Sequence, residues 1–230
     1  MKWFALLGMF AAGAVQAAEM TGLRHMTELR YMTELRYVDQ DPGDPPYATR
    51  ILVTPDYLRM DTGEDDGDFV LLDRRQHKAF NVMRENRLAM VFVPATLPPR
   101  PESWQSRLLV KPHAKGAQRY RLLVNGQTCS EGVADRHAVP DAARAMAELK
   151  TVLAATQYRV WRDTPVELRH DCDLANLVWE ADSTLRMGLT LEEREFSGRS
   201  RMLQGRSSVP LKPELFRLPD GFAEMPAPGL

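Results

Sequence analysis

Between residues 48 and 93 short apolar runs alternate with polar punctuation. TRILVTP, YLRMD, FVLLD, KAFNVM and RLAMVFV are rich in β-forming residues and bounded by Gly, Pro, Asp or Asn. Short runs with tight turn signals predict an antiparallel meander. Parallel pairing would need crossover helices, and none is legible between these runs. The stretch VPATLPPRPESW (93–104) breaks the ladder, because Pro has no N–H to donate, and reads as a surface loop. Further strands are expected at 107–111 and 119–126.

One segment has the other period. Over residues 140–155, Ala142, Ala145, Met146, Leu149 and Leu153 recur at helical spacing and form one apolar face. Pro140 suits a first helical turn and Asp141 favours the positive helix end. Beyond this helix the chain resumes with QYRVW, DLANLVWEA, a hairpin-like TLRMGLTLEEREF and RSRMLQG. Many strands beside one amphipathic helix predict a mainly β (α+β) domain, the helix lying against the sheet.

Residues 23–40 read LRHMTE, LRYMTE, LRYVDQ, a near-repeat of six residues. An even repeat keeps its faces in a strand, with Leu29, Tyr31, Leu35 and Tyr37 on one side and Arg30, Glu34 and Arg36 on the other. In a helix each copy would be turned by roughly 240°, smearing the stripe. Eighteen residues exceed the usual strand of roughly 3–10. A short duplication with the last copy paired natively explains this. A functional repeat array is the alternative, though so few copies do not make a solenoid. Slippage by one repeat is a physical risk.

The first seventeen residues, MKWFALLGMFAAGAVQA, have a positive start, an uncharged apolar run and small residues at the end. That layout is expected of a cleaved secretory signal, leaving a single domain over 18–230 in the periplasm. No second apolar run reaches the roughly 20 residues of a membrane span. Lys plus Arg number 30 against 31 for Asp plus Glu, so the basic excess of a nucleic-acid binder is missing.

Cys129 and Cys172 follow the signal. In an oxidising compartment an isolated pair is expected to form a disulfide. Closing a loop of about 44 residues would stabilise by roughly 4 kcal/mol in the chain-entropy model. Metal binding with His137 and His170 competes, but the close spacing of a zinc site is lacking.

Two segments carry a resemblance. ATRILVTPDYLRMDTGEDDGDFVLLDRRQHKAFNV (48–82) and ELFRLPDGFAEMP (214–226) resemble the LolA/LolB-like periplasmic group and the uncharacterised DUF4412-type proteins near it. The second matches a Leu-Phe-x-x-Pro-x-Gly-Tyr ending, with Phe222 in place of Tyr. The resemblance implies a curved antiparallel half-barrel with helix on its concave side. In the lipoprotein carriers of that group the concavity holds acyl chains.

Chemistry is less legible. Asp61, Glu64, Asp65, Asp66 and Asp68 invite a Ca²⁺ reading, but their spacing departs from an EF-hand loop and an Asp/Gly-rich hairpin turn explains them. No serine lies in a G-x-S-x-G elbow, no His belongs to a readable triad, and phosphate-binding Gly loops are missing. No catalytic residue, metal or cofactor is assigned. Met60, Met83, Met90, Phe92 and Trp104 are the candidate groove residues, since Met suits pockets for flexible apolar ligands. Arg119, Tyr120 and Arg121, like Tyr158, Arg159, Trp161 and Arg162, read as solvent-facing strand positions. The expected function is non-enzymatic: holding a lipid, an acyl chain or a lipidated protein in a half-barrel groove. The alternative is an accessory module that binds an envelope protein.

Overall fold

The computed structural model describes residues 30–227. The segment read as a secretory signal and the first repeat copy lie outside the described residues. Twelve strands follow: β1 (Tyr31–Gln40), β2 (Tyr47–Val53), β3 (Tyr57–Asp61), β4 (Phe69–Asp73), β5 (Lys78–Met83), β6 (Leu88–Phe92), β7 (Ser106–Pro112), β8 (Gln118–Val124), β9 (Gln127–Asp135), β10 (Leu189–Glu195), β11 (Ser200–Pro210) and β12 (Ala223–Pro226). They form one open, curved, mixed sheet ordered β12-β6-β5-β4-β3-β2-β1-β11-β10-β9-β8-β7. Residues 93–105 connect β6 to β7 without strand, as the prolines require.

One pairing corrects the expectation of a wholly antiparallel sheet: β12 runs parallel to β6. Its crossover is the whole chain between them, so no local strand–helix–strand pattern announces it. Pro226 is tolerated because β12 is an edge. The β8–β9 hairpin turns on Asn125 and Gly126, both at positive φ (50° and 83°), the backbone that Asn-Gly favours in a two-residue turn.

Cross-strand partners share a face. Leu35, Ile51, Met60, Val70, Asn81 and Met90 are successive partners across β1 to β6. Helix α1 (Pro140–Asp163) packs on this face, burying Ala142, Ala145, Met146, Leu149 and Val152 against Leu35, Ile51, Leu58, Leu72 and Ala79. On the opposite face Met32, Leu52, Phe69, Leu71, Phe80 and Val82 are covered by Leu215 and Phe216 of a 3-10 turn (Pro213–Phe216). Burial on both sides is why ILV and FVLLD read as continuous apolar runs instead of strict alternation.

The helix outruns its expected end. QYRVW is helical, because no breaker occurs until Pro165, which pushes Thr164 to extended backbone (φ −67°, ψ 142°). Tyr158, Arg159, Trp161 and Arg162 therefore sit on α1 and not on a strand. DLANLVWEA is helical too: a short helix α2 (Asp171–Leu174) runs into a π turn (Ala175–Trp179), closed by the Glu180 N–H donating to the Ala175 carbonyl at 3.0 Å. Buried Asn176 fixes this turn to β9 by donating to the Cys129 carbonyl at 3.1 Å.

Cys129 and Cys172 form a disulfide that ties β9 to α2, 43 residues apart in sequence. Both are fully buried among Leu122, Val124 and Ala175. With both sulfurs bonded to each other, the competing metal reading has no thiolate. The last repeat copy lies within β1, between β2 and β11, with Leu35 and Tyr37 buried on the face that carries α1. Met32, one residue out of phase, is buried on the other face.

Candidate functional site

Between α1 and the sheet lies a cleft of about 210 Å³. Ile51, Leu58 and Met60 line it from β2 and β3, and Met146, Leu149 and Leu153 from α1, at the i, i+3, i+7 spacing of one helical face. Leu177 of the π turn adds to the apolar lining. The remaining wall is polar: Lys150 from α1, Glu193 and Glu195 from β10, Arg199 from the following turn and Arg201 from β11.

The polar wall belongs to a row that crosses the sheet. Asp39, Arg201, Glu193, Gly132 and Tyr120 are successive cross-strand partners, all on the face that carries α1. Arg201 donates from Nε and Nη2 to the two carboxylate oxygens of Asp39 at 2.7 and 2.6 Å, and Thr49 Oγ1 donates to the same carboxylate at 2.8 Å. Tyr120 donates to Glu193 Oε1 at 2.8 Å, and Tyr37 donates to the Thr190 carbonyl at 2.9 Å. The position between Tyr120 and Glu193 must be glycine, since a Cβ on Gly132 would run into the Glu192 carbonyl and the Tyr120 ring.

This wiring sets the charges. Burial opposes ionisation of Asp39, yet the Arg201 guanidinium outweighs it and holds the carboxyl below the usual range. Burial, reinforced by the neighbouring Glu193, pushes Glu195 upward. Tyr120 is raised beyond the ordinary tyrosine range by burial and by Glu193. The cleft thus has an apolar wall ending in charged side chains, of which Arg201 is held by Asp39 and Glu193 by Tyr120.

Of the five sequence-derived groove residues only Met60 lines this cleft; Met83, Met90 and Phe92 share its sheet face outside the lining. Met90 follows Met60 by register, Met83 and Phe92 by strand alternation, and Phe92 packs against the α1 core. Trp104 is elsewhere: it lies in the β6–β7 connection, edge-on to Trp179 at 4.6 Å and against the disulfide cluster. The helical half of the lining was legible only as a core stripe. Glu193, Glu195 and Arg201 carried no signal, because their convergence depends on strand order.

The acidic turn divides in two. Glu64, Asp65, Asp66 and Asp68 are exposed, whereas Asp61 is buried and accepts from Arg50 at 2.8 Å, from Arg59 at 2.6 Å and from the Gly63 N–H at 2.9 Å. Asp61 therefore anchors arginines. Arg59 also donates to the Leu215 carbonyl at 3.0 Å and stacks 4.0 Å from the Phe69 ring centre, tying the C-terminal turn to the sheet. Among the described residues no group of three or more His, Cys, Asp or Glu is placed to hold a metal ion, and no helix is long and apolar enough to cross a membrane.

A wider depression of about 530 Å³ lies where α1 meets residues 182–188. Two of its acids are already engaged, Glu148 with Arg74 and Asp182 with Arg186. The narrower cleft is the better candidate because it is walled by the sheet itself.

No family model matches the chain, and no curated protein matches it. Among solved structures, it is similar to an uncharacterized conserved protein from Thermus thermophilus, at 11% identity over 92% of this chain and 100% of that one, with a TM-score of 0.41. Two structures of PNGF-II align with 87% and 86% of this chain at 8% and 10% identity, with TM-scores of 0.35 and 0.36. This chain spans 31% and 32% of those PNGF-II chains. At such scores none of these likenesses bears on function.

Proposed function

We propose that this is a periplasmic, non-enzymatic protein that holds a hydrophobic ligand in the cleft beneath α1. The ligand class is a lipid, an acyl chain or a lipidated protein, as the LolA/LolB-like resemblance implies, with the sheet as a half-barrel and α1 on its concave side. The observation that carries the reading is the continuous apolar lining of Ile51, Leu58, Met60, Met146, Leu149 and Leu153 beside a charged wall. Each methylene buried there would contribute about 0.8 kcal/mol. The cleft's 210 Å³ is below the roughly 300–1,000 Å³ of small-molecule sites, so a long chain requires Met60 and Met146 to change rotamer. Unbranched Met side chains can do this at low cost.

The test is native mass spectrometry of the unreduced secreted protein, followed by organic extraction and saturation with a fluorescent fatty acid. A bound acyl species near one per chain, lost in Leu149→Trp, is the expected result. A clean apo mass with no saturable fatty-acid uptake overturns it.

A second reading, an accessory module that binds an envelope protein, is favoured by edge strand β7. Its outer side has no partner strand among the described residues, and Val110 on it is 43% exposed. Such edges recruit extended peptides by adding a strand.

A further inference from the structure

The six-residue repeat poses a problem for β1. Moving the chain by one repeat would bring residues 25–34 into the ten positions now held by Tyr31–Gln40. Six of those ten positions would receive the same residue type, among them a leucine for Leu35 and a tyrosine for Tyr37. The other four exchange His for Tyr31, Met for Val38, Thr for Asp39 and Glu for Gln40. Three of them are exposed: Tyr31 at 56%, Val38 at 36%, and Gln40. Asp39 alone is buried, at 1%. Core packing therefore cannot tell the two registers apart, because the buried apolar set is unchanged.

We propose that Asp39 is the register lock of β1: its bonds to Arg201 and Thr49 exclude the strand slipped by one repeat. In the slipped strand Thr33 would stand opposite Arg201 with no carboxylate. Arg201, whose side chain is only 18% exposed, would lose both charged hydrogen bonds, and Thr49 would lose its acceptor. Glu193, opposite Arg201 on β10 and already accepting from Tyr120, would remain its only carboxylate neighbour on the row, so a largely buried guanidinium would lose its two-pronged partner, which is disfavoured. The displaced hexapeptide would merely lengthen the β1–β2 connection, a small entropic cost. Asp41 would also leave Tyr47 and Arg199, but those contacts are exposed, so the buried part of the discrimination rests on one side chain.

Cysteine reporters test this, since Cys129 and Cys172 are bonded to each other. Val38 lies opposite Ala48 in the native register, so Val38→Cys with Ala48→Cys reports that register. Met32 lies six residues back, about 20 Å along the strand. Met32→Cys with Ala48→Cys therefore bridges only after the slip. With Asp39 present, the 38–48 bridge should form and the 32–48 bridge should not. In Asp39→Thr the 32–48 bridge should appear in on the order of a tenth of molecules or more, the share of a populated minor state. Thr33→Asp, which leaves Asp39 in place, should also produce it by giving the slipped strand its own partner for Arg201. Absence of the 32–48 bridge from both variants overturns the proposal. Should Asp39→Thr not accumulate, Thr33→Asp decides alone.

Discussion

Removing the Cys129–Cys172 bridge tests how much of the fold's stability resides in the unfolded chain. The two sulfurs close a loop with a sequence separation of 43, for which the chain-entropy model gives about 4 kcal/mol at 25 °C. Cys129→Ala/Cys172→Ala is the cleanest perturbation, because both residues are fully buried among Leu122, Val124 and Ala175, where serine would add an unpaired hydroxyl. Native packing loses only two sulfur atoms, so most of the effect should arise from greater freedom of the denatured chain. The expected loss is about 3–4 kcal/mol, or a Tm lower by roughly 10 °C for a domain of this size. Guanidinium unfolding of the oxidised, reduced and double-alanine proteins measures it. The reduced and alanine forms should agree, and their m-values should exceed that of the oxidised form as the denatured state expands. A loss below about 1 kcal/mol with unchanged m-values would refute the reasoning. It would mean that the denatured chain already keeps β9 near α2 without the bond.

Asp61→Asn should destabilise by about 3 kcal/mol, since it removes the charge that Arg50 and buried Arg59 share. Burial opposes the ionised form of Asp61, but the hydrogen bonds from Arg50 and Arg59 prevail and hold its carboxyl below the usual value. Its contribution is therefore complete above the unfolded-state pKa and fades as pH falls through the lower folded-state pKa. Acid unfolding monitored by circular dichroism should show the gap between wild type and Asp61→Asn closing across that window. Glu195 has the opposite sign: burial and Glu193 raise it, so its ionisation weakens the fold as pH rises through the folded-state pKa. Glu195→Gln should be more stable than wild type at neutral pH and equal to it in acid, as read from urea midpoints. Arg74→Met should cost about 2 kcal/mol, because Arg74 binds Asp141, Glu148 and the Thr54 carbonyl together. Hydrogen exchange should then show faster exchange in the first half of α1. Gly188→Ala should fail to accumulate as folded protein, since φ is 132° and a Cβ would collide with the backbone at Asp135 and Arg136.

The meander from β2 to β6, the start of α1 and the disulfide were legible in the chain because each rests on local rules. Runs such as KAFNVM between turn residues, a 3.6-residue apolar stripe behind Pro140, and an isolated cysteine pair behind a signal-like segment carry their meaning within a few residues. Failures came where a helix ran on to its next breaker or where a distant partner set the pairing. QYRVW is rich in β-formers, yet it continues α1 because the first breaker is Pro165, and DLANLVWEA, given no element by its pattern, is helical and bonded to β9 through Asn176. β12 pairs in parallel with a strand more than a hundred residues away, which no turn signal encodes. The candidate site is of the same kind. Met60 and the α1 stripe could be suspected from apolar pattern alone. The polar wall could not, because Asp39, Arg201, Glu193 and Tyr120 become neighbours only through strand order and register. Even the register of β1 escapes its hydrophobic pattern, which repeats every six residues; burial of one carboxylate against one guanidinium breaks that tie.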